Sequence, residues 1–351
     1  MWNGRPGVAC QKTSPYTCGP ALLGNTIWTN LGGVCASHND GNPIAQWDVA
    51  AHRWILAQNV FTSPYAVCIA VSTTSDATGS YYLYEFPVVN NGFPYLPKWG
   101  VWSTGYFQTW NNFGPGGSGF VGPVLCDYNS AKLLAGDQTA EQICHQYTAN
   151  EDSLLPADVD SPTPPPTGQD EFAIGSVGSV DNSHLSLYSV RINNWQAGDA
   201  TFTGDNNSQL IGIAPFTPAC NGAYSGACVP QKGIPDLLDS LGDPLMYRFA
   251  YFNDNKQLKP IHVTNLSLFQ QGTFAPDGNW RWMGSVAGDR SNDILLGYSE
   301  SCGDNCPGGT PTYPSIHIAG RQVNDPLGLG NLEAEVQVVA GSGSQPDTSN
   351  R

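Results

Sequence analysis

RWILAQNVFTSPYAVCIAVSTTSDATGSYYLYEFPVV, Arg53–Val89, decides the fold class. It contains three runs of strand-forming residues, Arg53–Val60, Tyr65–Thr73 and Tyr81–Val89, rich in Val, Ile and Tyr. Turn chemistry separates them, most plainly SDATG at Ser75–Gly79. β-Branched and aromatic runs bounded by Pro, Asp and Gly read as consecutive antiparallel strands.

Outward from this stretch the pattern continues. Tyr95–Trp102 and Tyr106–Asn111 follow it, then Phe172–Ile174, His184–Asn193, Gln209–Ile213, Met246–Phe252, Ile261–Phe269, Arg281–Ala287, Ile294–Ser299, Ser315–Ala319 and Glu333–Val339. Short strands spaced by Gly, Asn, Asp and Pro read as a sandwich, barrel or propeller. Helical signals are few: Ser130–Ala135, Asp137–Gln146 with Asp137 as N-cap, and Ile234–Leu241. Residues 150–170, acidic and proline-rich, read as a loop within one architecture rather than a linker, since proline lacks the ladder donor of a central strand. Ser72–Tyr84 and Ser285–Ser299 share a layout in which an Asp-bearing turn precedes an apolar strand, an internal repeat of the kind propeller blades carry.

The 351 residues include 29 acidic and 14 basic side chains, a formal charge of −15, which argues against a nucleic-acid partner. Charged residues are only 12% of the chain, so Asn, Ser, Thr, Gln and Gly must supply the surface polarity. No run of about 18 apolar residues is present to cross a membrane as a helix. The ten cysteines form close sequence pairs, and the simplest pairing is Cys10–Cys18, Cys35–Cys68, Cys126–Cys144, Cys220–Cys228 and Cys302–Cys306. Sequence alone does not fix connectivity. Without C-x-x-C spacing a zinc site is the lesser reading, and disulfides place the protein in an oxidising, extracellular or cell-surface setting. The opening MWNGRPGVACQ lacks the apolar core of a signal peptide, so an export signal is expected upstream or removed.

Several segments together carry a resemblance. They are Asp40–Gln58 (DGNPIAQWDVAAHRWILAQ), Cys68–Pro87, Tyr95–Phe113 (YLPKWGVWSTGYFQTWNNF), Leu154–Pro166, Leu238–Tyr251, Gln270–Asp289 (QQGTFAPDGNWRWMGSVAGD) and Ile294–Arg321. In this order they resemble a family of large secreted, mostly uncharacterised proteins, commonly bacterial, with a β-propeller-like core. The resemblance implies a β-propeller core, and at roughly 40–50 residues per blade the length allows about seven blades; with the cysteine pairs and the strand pattern, the chain reads as an all-β, disulfide-stapled single domain over residues 1–351 with the acidic loop at 150–170. Relative to that family the chain looks truncated at both ends, which leaves ring closure open. The family carries no settled activity to transfer.

Candidate chemistry is dispersed. A glycosidase needs two carboxylates about 5–10 Å apart, and Asp48, Glu85, Asp127, Asp277 and Asp289 are the acids near aromatics or turns; each could equally cap a turn or pair with an arginine. Glu85, inside an aromatic strand, needs a partner. Arg53, Arg248 and Arg321 are candidates for a carboxylate-gathering trio of the sialidase kind, or for pairing with buried acids. The six histidines show no metal-ligand spacing, and GSGSQ at 341–345 fails the serine-hydrolase G-x-S-x-G pattern. Calcium is the favoured ion if one binds, at Asp152, Asp158 and Asp160, with Asp40, Asn39 and Asn42 a second candidate. Trp99, Trp102, Tyr106, Trp110, Trp280 and Trp282 lie among Gly and Asn and could form a sugar-stacking platform, or could fill the gaps between blades.

Fold does not dictate function here. The first reading is a secreted or cell-surface module that binds glycans or another exported protein. The second is a carbohydrate-active hydrolase or lyase with its site at one end of a propeller channel. The third is a structural surface or filament component.

Overall fold

The computed structural model describes residues 23–176, 181–217, 220, 227–242, 245–253, 268, 271–289, 291, 293–326 and 332–346. They form an all-β protein with two short α-helices among the described residues, and the chain divides into two compact units. The first comprises residues 1–175, 187–209 and 251–264, and the second residues 176–186, 210–250 and 265–351.

In the first unit, β1 (Gly41–Asp48), β2 (Arg53–Val60), β3 (Ala66–Ser72) and β4 (Tyr81–Pro87) form an antiparallel meander in the order β1-β2-β3-β4. A second meander, in the order β5-β6-β7-β8, follows: β5 (Phe93–Val101), β6 (Tyr106–Gly114), β7 (Ser118–Tyr128) and β8 (Gln142–Gln146). A third is β9 (Asp152–Val159), β10 (Glu171–Ser176), β11 (His184–Asn194) and β12 (Asp199–Thr203). In the second unit, β13 (Leu210–Gly212) pairs with the start of β11, and β14 (Ala227–Val229) pairs with β15 (Leu238–Asp239). After β16 (Phe249–Tyr251) comes a fourth meander: β17 (Trp280–Gly288), β18 (Ile294–Cys302), β19 (Thr312–Arg321) and β20 (Val336–Val339). The four-stranded up-and-down sheet is the unit from which propeller blades are made.

All seven residues of β3 are buried, because both faces of its sheet are covered. On one face Val67, Ile69 and Val71 join a core with Trp99, Tyr106, Trp110, Val124 and Tyr128 of the second meander. On the other, Cys68 and Ala70 pack with Trp28 and Cys35, and the Trp28 indole donates to the Ile69 carbonyl at 3.2 Å. Helix α1 (Gly33–Ser37) supplies that cover and is tied down by the Cys35–Cys68 bridge.

Helix α2 (Ser130–Ala135) spans the expected residues. The Asn129 side chain caps the Lys132 amide at 3.3 Å, and Gly136 ends the helix in the left-handed region at φ 76°. A side chain at Gly136 would also run into the Tyr82 ring.

Two expected helices are absent. Residues 142–146, read within a helix over Asp137–Gln146, form β8, because Cys144 lies directly opposite Cys126 and is bonded to it. Asp137 still caps a turn, accepting the Thr139 amide at 2.8 Å. Ile234–Leu241 contains β15 in place of a helix. The 150–170 reading also changes: β9 occupies residues 152–159 and is buried throughout, despite Pro156. Its acids Asp152 and Asp158 accept hydrogen bonds from side chains and an amide of other strands. The expected strand at Ile261–Phe269 lies outside the described residues apart from Leu268.

Cysteine pairing follows the nearest-neighbour scheme for four bridges, Cys35–Cys68, Cys126–Cys144, Cys220–Cys228 and Cys302–Cys306. Cys10 and Cys18 lie outside the described residues. Among the described residues no helix is long and apolar enough to cross a membrane.

Candidate functional site

The aromatic candidates separate by burial. Trp99, Trp102, Tyr106 and Trp110 are core residues. Trp99 stacks on Tyr128 at 5.7 Å, Trp102 meets Tyr251 and Phe172 edge-on, and Tyr106 donates to Asp48 at 2.8 Å. With no face open to solvent, these four cannot serve as a stacking platform; both faces of β6 are covered over Tyr106–Asn112, and Trp99 on β5 and Trp102 just beyond it are buried with them. Trp282 is half-buried and donates to the Ser301 hydroxyl at 3.2 Å. Trp280, at the start of β17, is 38% exposed.

Trp280 lines a cleft of about 460 Å³ in the second unit, walled by Pro230, Pro235, Pro307 and the Cys302–Cys306 bridge. The walls are fixed. Gln231, buried between two chain segments, donates to the Asp236 and Gln345 carbonyls at 2.9 Å and accepts the Gln345 amide at 2.7 Å. Asp304 accepts the Gly233 amide at 3.2 Å, joining the two loops of the cleft, and remains exposed. Asn305 beside it is exposed. A partly open indole on a rigid wall, next to a carboxylate and an amide, can stack on one face of a ring while exchanging hydrogen bonds with its hydroxyls.

The opposite face of the same sheet carries a charged network. Trp280 and Arg281 are neighbours in β17, so their side chains take opposite faces. Arg281, 8% exposed, donates to both oxygens of Glu335 at 2.8 and 3.0 Å and to Asp277 at 2.8 Å. Tyr298 donates to Glu335, and Asn279 donates to Glu300. His317 lies between the two glutamates, with Nε2 3.0 Å from Glu300 and Nδ1 3.4 Å from Glu335. Glu300, His317 and Glu335 each bring one donor atom within 4.8 Å of the others, a set a metal ion could use. The structure already gives Glu335 a cationic partner in Arg281.

Burial pushes the Glu335 carboxyl up, but the bonds from Arg281 and Tyr298 outweigh it and hold the group below its ordinary value. Hydrogen bonding from Arg281 depresses Asp277 likewise. A carboxylate with a depressed folded pKa stabilises the fold above its unfolded pKa and ceases to as pH falls through the folded value. Thermal melts of the protein are therefore expected to lose stability below about pH 4.5, and Glu335→Gln should flatten that slope. A variant with the parent's acid profile would show that Glu335 does not contribute.

The remaining sequence candidates have local roles. Asp48 accepts the Ala50 and Ala51 amides at 2.9 and 2.8 Å. Glu85, exposed on β4, finds its partner in α1, accepting the Cys35 amide at 3.0 Å. Asp289 caps the β17–β18 turn through Ser291 at 2.8 Å, as Asp76 caps the β3–β4 turn through Thr78 at 2.9 Å. The two repeat segments thus share turn chemistry but join different strand pairs within their sheets.

Arg53 donates to the Ala51 and His52 carbonyls, and Arg321 to the Asp325 and Pro326 carbonyls. Arg248 is half-buried in an irregular segment before β16. Arg53 lies in the first unit and the other two in the second.

Asp152 and Asp158 are buried on β9 and Asp160 is half-buried just beyond it. Asp152 accepts from Asn111 at 2.7 Å, and Asp158 accepts Gln46 at 2.6 Å and the Val101 amide at 2.9 Å. These bonds replace the open loop expected to present the three acids to calcium. Asp40 is likewise engaged by the Phe61 amide at 2.6 Å and Asn39 by the Asn25 amide at 3.1 Å.

Sequence reasoning named Asp127 but missed its setting. Asp127 and Glu171 are fully buried, and burial pushes both carboxyls well above their ordinary values.

No protein-family model matches the chain, and no curated protein matches it. Among solved structures, the complex of the GH93 α-L-arabinofuranosidase of Fusarium graminearum with arabinobiose is similar at 11% identity and a TM-score of 0.33. That likeness covers 83% of this chain, which spans 64% of the length of that structure. The all-β architecture rests on the strands themselves.

Proposed function

We propose that this protein is an exported binding protein whose Trp280 cleft takes a carbohydrate. The observation that carries the reading is the partly open Trp280 indole lining a rigid cleft beside exposed Asp304 and Asn305. Disulfides in both units support an oxidising location. Sugar rings offer apolar C–H faces to an indole and hydroxyls to amide and carboxylate neighbours. In this role the buried aromatics of β5 and β6 supply the scaffold.

The test is titration calorimetry and a glycan array against a panel of neutral and acidic oligosaccharides. Trp280→Ala is expected to weaken binding roughly 10- to 100-fold with little change in Tm, since the ring is at the surface. A protein that neither binds nor cleaves any member of the panel would overturn the proposal. Cleavage of a bound sugar would favour the hydrolase reading instead. That reading draws on the convergence of Glu300, Glu335, Tyr298 and Arg281 in one cluster. In the structure those groups are engaged with one another on the sheet face opposite Trp280.

A further inference from the structure

We propose that Glu300, His317 and Glu335 bind one divalent metal ion of the zinc class, on the face of the fourth meander opposite Trp280. Strand alternation assembles the set. Glu300 is two residues beyond Tyr298 in β18, and Tyr298 lies directly opposite His317 in β19, so the three side chains share a face. Gln337 of β20 lies opposite His317 in turn, and Glu335 is two residues before it.

Two observations point to a ligand. Donor atoms of the three residues lie within 4.8 Å of one another, and no other such group of His, Cys, Asp and Glu occurs among the described residues. The His317 side chain is only 9% exposed, and its Nδ1 is buried with no hydrogen-bond partner. Nδ1 is 3.4 Å from Glu335, and Nε2 is 3.0 Å from Glu300. Neighbouring ligands on an ion with bonds of about 2.1 Å stand about 3.0–3.4 Å apart, which is the spacing at either nitrogen.

The charges also call for a cation. Asp277, Glu300 and Glu335 share a single guanidinium, Arg281, so with neutral His317 two negative charges are in excess. Protonating His317 would halve that excess but leave the Nδ1 proton without an acceptor. A divalent ion removes the excess and gives an imidazole lone pair a partner. Arg281 does not block the position. It shares Glu335 Oε2 with Tyr298, whereas Oε1 accepts from Arg281 alone and keeps a lone pair. Asn279 engages Glu300 Oε1 and leaves Oε2 toward His317. Hydrogen bonds of this kind orient ligating carboxylates around a metal. Phe274, whose ring lies 6.0 Å from that of Tyr298 and 5.7 Å from the guanidinium, adds an apolar wall. The imidazole selects zinc over calcium, which takes oxygen ligands. This site does not rest on the carbohydrate reading.

The experiment uses the full chain, without a histidine tag and stripped by chelator. Zinc binding is measured by competition with a chromophoric chelator, and Tm is measured with and without added zinc. One zinc per chain and a Tm rise of about 5 °C are expected. His317→Ala should weaken zinc binding by more than the roughly 10- to 100-fold that loss of an outer partner costs, and should abolish the Tm response. Should that variant not fold, X-ray absorption at the zinc edge of the wild type decides. One imidazole with oxygen neighbours supports the site, whereas sulfur or several imidazoles would place the ion elsewhere and overturn it. A wild type that takes up no zinc, or a folded His317→Ala with wild-type affinity, would overturn it as well.

Discussion

Trp99→Ala is expected to lower the stability of the first unit by about 3–5 kcal/mol, the cost of removing a fully buried large aromatic. Trp99 is 0% exposed and packs against Tyr128 with an interplanar angle of 15°. Tyr128 is itself buried and donates to Gln108, which donates to Asn59. The cavity left by the indole would therefore adjoin a polar relay as well as aliphatic neighbours. Urea unfolding followed by far-UV circular dichroism gives the magnitude. Trp99→Phe should recover part of the loss, because a smaller ring still stacks. A change below about 1 kcal/mol would show that the site collapses around the gap. The contrast with Trp280→Ala is the informative part: one tryptophan maintains the fold, the other is expected to bind.

The second large effect is expected at Arg281. Its guanidinium faces Glu335 and Asp277 while only 8% exposed, and Arg281→Ala would leave Glu335 without its cation on a mostly buried sheet face. Breaking a buried pair by removing one partner costs about 3–5 kcal/mol, much of it the stranded charge. The double variant Arg281→Leu/Glu335→Leu should regain most of that loss, since an apolar pair fills the space without leaving a charge unmatched. Chemical denaturation of the two single variants and the double variant gives the coupling directly. A purely additive cycle would mean that the bond contributes nothing beyond its separate side chains.

The sequence disclosed most where local chemistry decides. β2 was read to the residue because RWILAQNV carries its own strand-forming signal between turns. Helix α2 was read to the residue because Asn129 and Gly136 mark its ends. It misled where a distant partner overrides local preference. EQICHQ has helical composition, yet Cys144 is bonded to Cys126 and the segment becomes a strand. β9 looked like a loop because acids and Pro156 seldom enter a buried strand; its acids instead bind β1, β5 and β6, up to 112 residues away in sequence.

The candidate site divides the same way. Trp280 was named, but nothing in the spacing of the six aromatics distinguished the partly exposed ring from the four in the core. The Arg281–Glu335 pair spans 54 residues and the orphaned Glu171 carboxylate has no local signature. Both arise from sheet pairing and packing that only three dimensions reveal.

The four bridges close loops with cysteines 33, 18, 8 and 4 positions apart, and no loop encloses or crosses another. A chain delivered N-terminus first into an oxidising compartment presents the two members of each bridge before either cysteine of the next. Oxidation can thus proceed in threading order, each segment locking as it emerges, with no requirement to reshuffle bonds between distant segments. Maturation of such a protein would depend on the rate of oxidation more than on isomerase editing.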